Sequence, residues 1–309
     1  MKPTLQDIRI DPLLTKLSLA YQNADYIAEK ICPVIPSSKI TGKYYKFDTS
    51  KFRPSKSLRG MGASAEEVGY GLEMSDPYVC KDHALKQLVP DELKDQAEGP
   101  FNPQMAAVEN VAQKLLVEKE YALATYMQTT GTFGTNYTTL TVAAGTRWDI
   151  YATSDPIGDI ETGIESVRSQ TFRPANTLVL GQETWNKLKH HPDLIDRIKY
   201  GGYGKMSPQA LADLLDLDQV IIGAAGRESA VEGQDSSLAY IWGKYAWLVY
   251  IPKRPAIDQP AFAYHMQHKK SVDKWYDKDR EGTWVREHDF YVRETVLAAA
   301  AYLIVTAVS

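Results

Sequence analysis

The chain has 309 residues and two cysteines, Cys32 and Cys80. Two thiols do not make a disulfide framework, and their spacing is not that of metal ligands. Both are expected to pack as small buried side chains. A long apolar run is also missing. The most apolar stretch, VLAAAAYLIVTAV from Val296 to Val308, falls short of the ~20 residues that a spanning helix needs. It is rich in β-branched residues and suits a buried strand. The N-terminal MKPTLQDIRIDP lacks an apolar core of signal-peptide length, so the sequence reads as soluble and made inside the cell. Positive charge is not in excess. Lys and Arg number 35 against 39 Asp and Glu, a net charge of −4, which argues against a dedicated nucleic-acid binder. No repeat of solenoid period is present.

Motifs of catalysis are scarce as well. There is no Gly-x-Ser-x-Gly elbow. Gly201-Gly202-Tyr203-Gly204-Lys205 lacks phosphate-loop spacing and follows a helix rather than a strand, so it reads as a surface loop. His190 and His191 are adjacent on a helix, about 100° apart, and do not share a metal. Asp193 and Asp196 beside them read as cap and surface residues. His265 and His268 would share a metal only on a helix, and their setting reads as a strand leaving into a loop. His83 and His288 have no partner in the sequence. Glu66-Glu67 and Asp91-Glu92 read as a solvated acidic face. The expectation is no enzyme, no metal and no cofactor.

What the sequence does have is a segment, Pro36 to Pro100, that looks unable to build a core and whose charge is divided. From Lys39 to Arg59 the cations are Lys39, Lys43, Lys46, Lys51, Arg53, Lys56 and Arg59, against Asp48 alone. From Gly60 to Glu98 the acids are Glu66, Glu67, Glu73, Asp76, Asp82, Asp91, Glu92, Asp95 and Glu98, against Lys81, Lys86 and Lys94. Ordered loops beyond ~12–15 residues are usually functional, so the segment is expected to gain its order from copies of the same chain. Tyr44, Tyr45, Phe47 and Phe52 interleave with the cations in the pattern of a nucleic-acid stacking groove. The acidic return would cancel much of that field, and an unlike patch on a neighbouring subunit is the better partner. The candidate contact residues are Lys39, Lys43, Tyr44, Tyr45, Lys46, Phe47, Lys51, Phe52, Arg53, Lys56, Arg59, Glu66, Glu67 and Tyr70.

Around this segment the elements are legible. Residues 1–35 read as an arm, with a short helix through Leu13, Leu14, Leu17 and Tyr21 that continues over Tyr26–Ile31 and ends at Pro33 and Pro36. Gly42–Asp48, by its aromatics, and the alternating Tyr70, Leu72 and Met74 suit the outgoing and returning strands of a long hairpin. Asn102 is a good N-cap and Pro103 a favoured first helical residue. From there to Gln128 a stripe of Met105, Val108, Ala112, Leu115, Leu116, Leu123 and Met127 predicts one long helix. Residues 131–148 read as irregular or short strands. A helix follows over 157–170, then a strand at 176–180, helices at 183–190, 192–200 and 208–215, and strands at 219–223, 239–242 and 246–251. The last part, Trp284–Ser309, looks strand-rich. The middle is an α/β layer.

This order of parts resembles the major capsid proteins of tailed bacteriophages, the Hong-Kong-97-type fold. ICPVIPSSKITGKYYKFDTSKF (Ile31–Phe52), Pro90-Asp91-Glu92, NTLVLGQETWNKLKHHPDLIDRIKY (Asn176–Tyr200) and YIWGKYAWLVYIP (Tyr240–Pro252) carry the likeness, through their order and spacing. The resemblance implies an α+β fold: an N-terminal arm (1–35), an extended β-hairpin loop and its base (36–99), a peripheral domain with a long spine helix (100–153), an α/β axial domain (154–268), peripheral return strands (269–301) and a final axial strand (302–309). It implies a structural shell protein, assembled with itself as hexamers and pentamers into an icosahedral virion capsid in the host cytoplasm. Its further partners would be a separate scaffolding protein, a portal, a decoration protein and packaged double-stranded DNA touched non-specifically, with no membrane. The rival readings are an encapsulin-like nanocompartment shell and an α/β enzyme for phosphorylated ligands that uses the 201–205 loop.

Overall fold

The computed structural model describes residues 9–10, 26–47, 53–55, 57–62, 64–65, 67, 72–74, 77–96, 102–199, 206–230, 233–256 and 259–309. The expected helix through Leu13–Tyr21 and the 201–205 loop lie outside these residues.

In chain order the first elements are β1 (Arg9–Ile10), α1 (Ala28–Ile31), β2 (Val34–Pro36), β3 (Thr41–Gly42), β4 (Tyr45–Phe47), β5 (Leu72–Met74), β6 (Tyr78–Val79) and β7 (Lys81–Pro90). Then come α2 (Asp91–Asp95), α3 (Pro103–Gln128), β8 (Tyr137–Thr139), α4 (Pro156–Thr171), β9 (Thr177–Gly181), α5 (Gln182–Leu188), α6 (Pro192–Lys199) and α7 (Pro208–Leu214). The remainder are strands: β10 (Gln219–Gly223), β11 (Gly226–Glu228), β12 (Leu238–Tyr240), β13 (Ala246–Val249), β14 (Ala263–Asp277), β15 (Gly282–Thr295) and β16 (Ala301–Val305).

Helix α3 starts where its sequence says it should. The Asn102 side chain accepts from the amides of Gln104 and Met105 at 3.0 and 3.4 Å, with Pro103 in the first turn. Its 26 residues span about 39 Å at 1.5 Å per residue. The helix lies on a sheet ordered β1-β14-β15-β7, with β2 also on β14. Val89, Val272 and Val285 of that sheet meet Ala107 and Val108 of the helix. The sequence placed His265 and His268 where a strand leaves into a loop. Instead they sit inside β14, 15 residues long, whose register with β15 shifts between Gln267 and Lys269. Residues 81–90, assigned from sequence to the base of the extended loop, form β7, which pairs with β15 from Tyr291↔Lys81 to Gly282↔Pro90. As an edge strand with one open side, β7 mixes polar and apolar residues and hides its period.

The second sheet runs β10-β9-β13-β16-β8. Both of its faces are covered, so β9 and β13 are buried at every position, as strands sandwiched between layers should be. Val179, Trp247, Val249 and Leu303 face the end of α3 (Leu123, Met127) and the arm residues Ile27 and Ile31. Leu178, Leu180, Leu248 and Ile304 face Ile160 and Val167 of α4 and Leu211 of α7. Gly223 is required at its place: a Cβ there would come within 2.4 Å of the Trp242 ring.

Candidate assembly interface

The extended loop grows from the first sheet on a small core of its own. Tyr44 and Tyr78, each 5% exposed, pack with Ile35, Cys80, Tyr264, Met266 and Val296. The Tyr44 hydroxyl donates to the Thr295 carbonyl at 3.2 Å, and the Tyr78 hydroxyl bonds Ser37 Oγ at 2.9 Å. Gly42 makes room for this: a Cβ would lie 2.6 Å from Tyr78 Oη. Beyond that base the chain runs out and back as two antiparallel rungs. Thr41 and Gly42 pair with Val79 and Tyr78, and Tyr45, Lys46 and Phe47 pair with Met74, Glu73 and Leu72. Farther out, Leu58 and Met61 are 97% and 108% exposed, beside a turn at Gly62 whose φ of +80° favours glycine.

The candidate contact residues divide by position. Lys39, Lys43, Arg53, Arg59 and Glu67 are exposed. Tyr44 is corrected: it is turned inward and anchors the loop to its own chain, because its ring fills the small core and its hydroxyl has a carbonyl within reach. Tyr45, Lys46 and Phe47 form strand β4. Lys51, Phe52, Lys56, Glu66 and Tyr70 lie outside the described residues.

Two acids of the return are engaged within their own chain. Asp82 takes His288 Nδ1 at 2.8 Å. Asp91 accepts from Lys94 Nζ at 2.6 Å and from the Tyr276 hydroxyl at 2.8 Å, and these bonds hold its carboxyl below the usual carboxylate range. On β14 and β15, Arg286 grips Asp273 through two bonds of 3.2 and 2.6 Å, and Lys270 lies 3.1 Å from Glu287.

The arm is fastened by two residues that the sequence reading missed. Glu120, 1% exposed, accepts from the amides of Ile27 and Ala28 at 2.9 and 2.8 Å and from Trp242 Nε1 at 2.6 Å. Burial pushes its carboxyl up, and these bonds hold it back. Lys119, 3% exposed, holds Glu29 at 2.7 Å and lies over the Tyr291 ring. The signal was there: both occupy positions where the helical stripe between Leu116 and Leu123 calls for apolar side chains.

The histidines act as structural groups. His191 is fully buried and bonds Ser154 Oγ at 3.0 Å. His268 Nδ1 is 3.0 Å from the Ser37 carbonyl. Among the described residues no group of three or more His, Cys, Asp or Glu is placed to hold a metal. No described helix is long and apolar enough to cross a membrane.

No family model matches the sequence. Over 309 residues the chain is 29% identical to a protein named "Major capsid protein" of Burkholderia phage BcepMu, covering 96% of this chain and 95% of that one. Among solved structures, the fold is similar to a phage-related protein from Bordetella bronchiseptica RB50, with a TM-score of 0.78 at 24% identity, covering 96% and 97% of the two chains. It is also similar to the capsid structure of Cyanophage P-SCSP1u, with a TM-score of 0.59 at 12% identity, covering 94% and 90%.

Proposed function

We infer that the chain is a phage major capsid protein, a structural shell subunit built on the Hong-Kong-97-type α+β fold. As such it assembles with copies of itself, and its place is the virion capsid. The observation that carries assembly by the loop is a segment rooted in its own sheet by Tyr44 and Tyr78 while Leu58 and Met61 stand in solvent. A lone chain gains nothing from that arrangement; a ring of copies does, because each loop covers a neighbour.

On this reading the stretch 36–99 carries the clamp between subunits and its base, with β7 belonging to the sheet beneath it. The α3 layer is the peripheral domain and the sheet of β8, β9, β10, β13 and β16 the axial one, so β8, which the sequence reading placed in the peripheral stretch 100–153, moves to the axial side through its pairing with β16. Copies form hexamers and pentamers through repeated heterologous contacts. Each contact is weak, and the closed shell holds because every subunit makes many at once. A separate scaffolding protein, a portal and a decoration protein would join in the host cytoplasm. The net charge of −4 limits adhesion to the packaged DNA. Deletion of residues 48–70, which spares the Tyr44 anchor and β4, should leave a soluble, folded chain that forms no closed shells by electron microscopy. Shells of normal size and yield from the deletion would contradict the clamp.

A further inference from the structure

The two-stranded sheet β11–β12 has little core of its own, and an isolated hairpin is marginally stable in water. Gly226 pairs with Tyr240, Arg227 with Ala239 and Glu228 with Leu238. Alternation sets Gly226, Glu228, Leu238 and Tyr240 on one face and Arg227 and Ala239 on the other. The Arg227 guanidinium lies over the Tyr121 ring of α3, 4.3 Å from its centroid, so that face is turned to the chain's own helix. The opposite face turns outward, with Leu238 81% and Tyr240 45% exposed.

The chain carries a second patch of complementary chemistry. Leu58-Arg59-Gly60-Met61 presents two exposed apolar side chains and a guanidinium. The outward face of β11–β12 presents two apolar side chains and the Glu228 carboxylate. Glu228 is fixed by bonds from the Ser236 hydroxyl and from the amides of Ser237 and Ala230, at 2.6 and 3.1 Å for the amides. Those bonds hold it below the usual carboxylate range, and so charged.

We propose that the outward face of β11–β12 receives the loop tip Leu58–Met61 of a second copy, with Arg59 against Glu228. The inference rests on the shell reading and names the acceptor for its clamp. The contact is heterologous, since the two patches differ, and heterologous contacts build rings and closed assemblies.

The test is a cysteine pair, Leu58→Cys with Leu238→Cys, on exposed positions. Cys32 and Cys80 are 0% and 4% exposed, so they give little background. Assembled shells of the double variant, oxidised with diamide, should run as a ladder of covalent multimers on a non-reducing gel, and each single variant as monomer. Shells that form but stay monomeric overturn the inference and leave the shell reading intact. A wild-type chain that forms no shells overturns the shell reading first. Leu238→Cys that reacts with a maleimide as fast in the shell as in the free subunit also overturns the inference, since the face would be open to another partner. Should the cysteine pair fail to assemble, a double-mutant cycle decides. Arg59→Gln and Glu228→Gln, which keeps an acceptor oxygen for the hairpin's own bonds, should each lower shell yield about threefold, the scale of one exposed ion pair, and the double variant should fall no further than the singles. Losses that multiply in the double variant overturn the contact.

Discussion

His265 shows how single residues tie the arm to the body of the protein. It is 1% exposed inside β14, and its ring meets Tyr291 edge-on at 5.7 Å. Burial drives its pKa well below the ordinary value, and the nearby cations Lys119 and Arg293 push the same way. Its backbone amide donates to the Pro33 carbonyl at 3.1 Å, where the arm joins the sheet. A histidine kept neutral in the fold, but free to charge when unfolded, lends stability that is whole above about pH 6.5 and is lost as the pH falls below it. His191 is lowered in the same direction. The unassembled subunit should therefore lose melting temperature on acidification from pH 7 to 5. His265→Gln should lose less, by up to about 1 kcal/mol per pH unit. Thermal melts across that range check this, and parallel curves for the two proteins would contradict it. None of this was legible in the sequence, where His265 reads as one histidine among six, because its burial depends on strands far apart in the chain. Lys119 and Glu120 were more nearly legible, as charges interrupting an apolar stripe.

At the scale of elements, the sequence was informative wherever local chemistry decides the outcome. Asn102-Pro103 set the start of α3, and Ser207-Pro208 set that of α7, where Ser207 Oγ accepts from the Ala210 amide at 3.1 Å. The apolar runs read at 176–180 and 219–223 gave β9, one residue farther on, and β10. Elements whose period is masked by context were harder to read. β7 is an edge strand, and β14 carries Lys270 and Asp273 because charge pairing across the sheet, with Glu287 and Arg286, satisfies them. Of the acidic return, Asp82 and Asp91 are engaged inside the chain by His288, Lys94 and Tyr276, while Glu67 and, on the outgoing side, Lys43 and Arg53 are exposed. Reversing Lys46 would set like charges opposite each other at Glu73 and disturb the hairpin itself. The informative variant is Lys43→Glu with Arg53→Glu. Its shell yield at low ionic strength should fall several-fold, roughly threefold per lost contact. The gap to wild type should narrow near 0.5 M salt as screening shortens the reach of charge. A yield equal to wild type at every salt concentration would remove the electrostatic part of the clamp.

The whole molecule is two covered layers with an uncovered extension. Both faces of the β9–β13–β16 sheet are buried, α3 covers one face of the β14–β15 sheet, and the arm is locked by Glu120. The three most exposed large apolar residues among those described, Met61, Leu58 and Leu238, lie on the loop and on an outlying hairpin, where a second copy can reach them. That division of labour suits a subunit that folds first and is clamped afterwards. The measurement that bears most directly on this account is negative-stain electron microscopy of the purified full chain, alongside its sedimentation. The account predicts closed spherical shells of uniform size. A chain that stays monomeric or forms only small oligomers as its concentration rises, with and without the other head proteins, would contradict it.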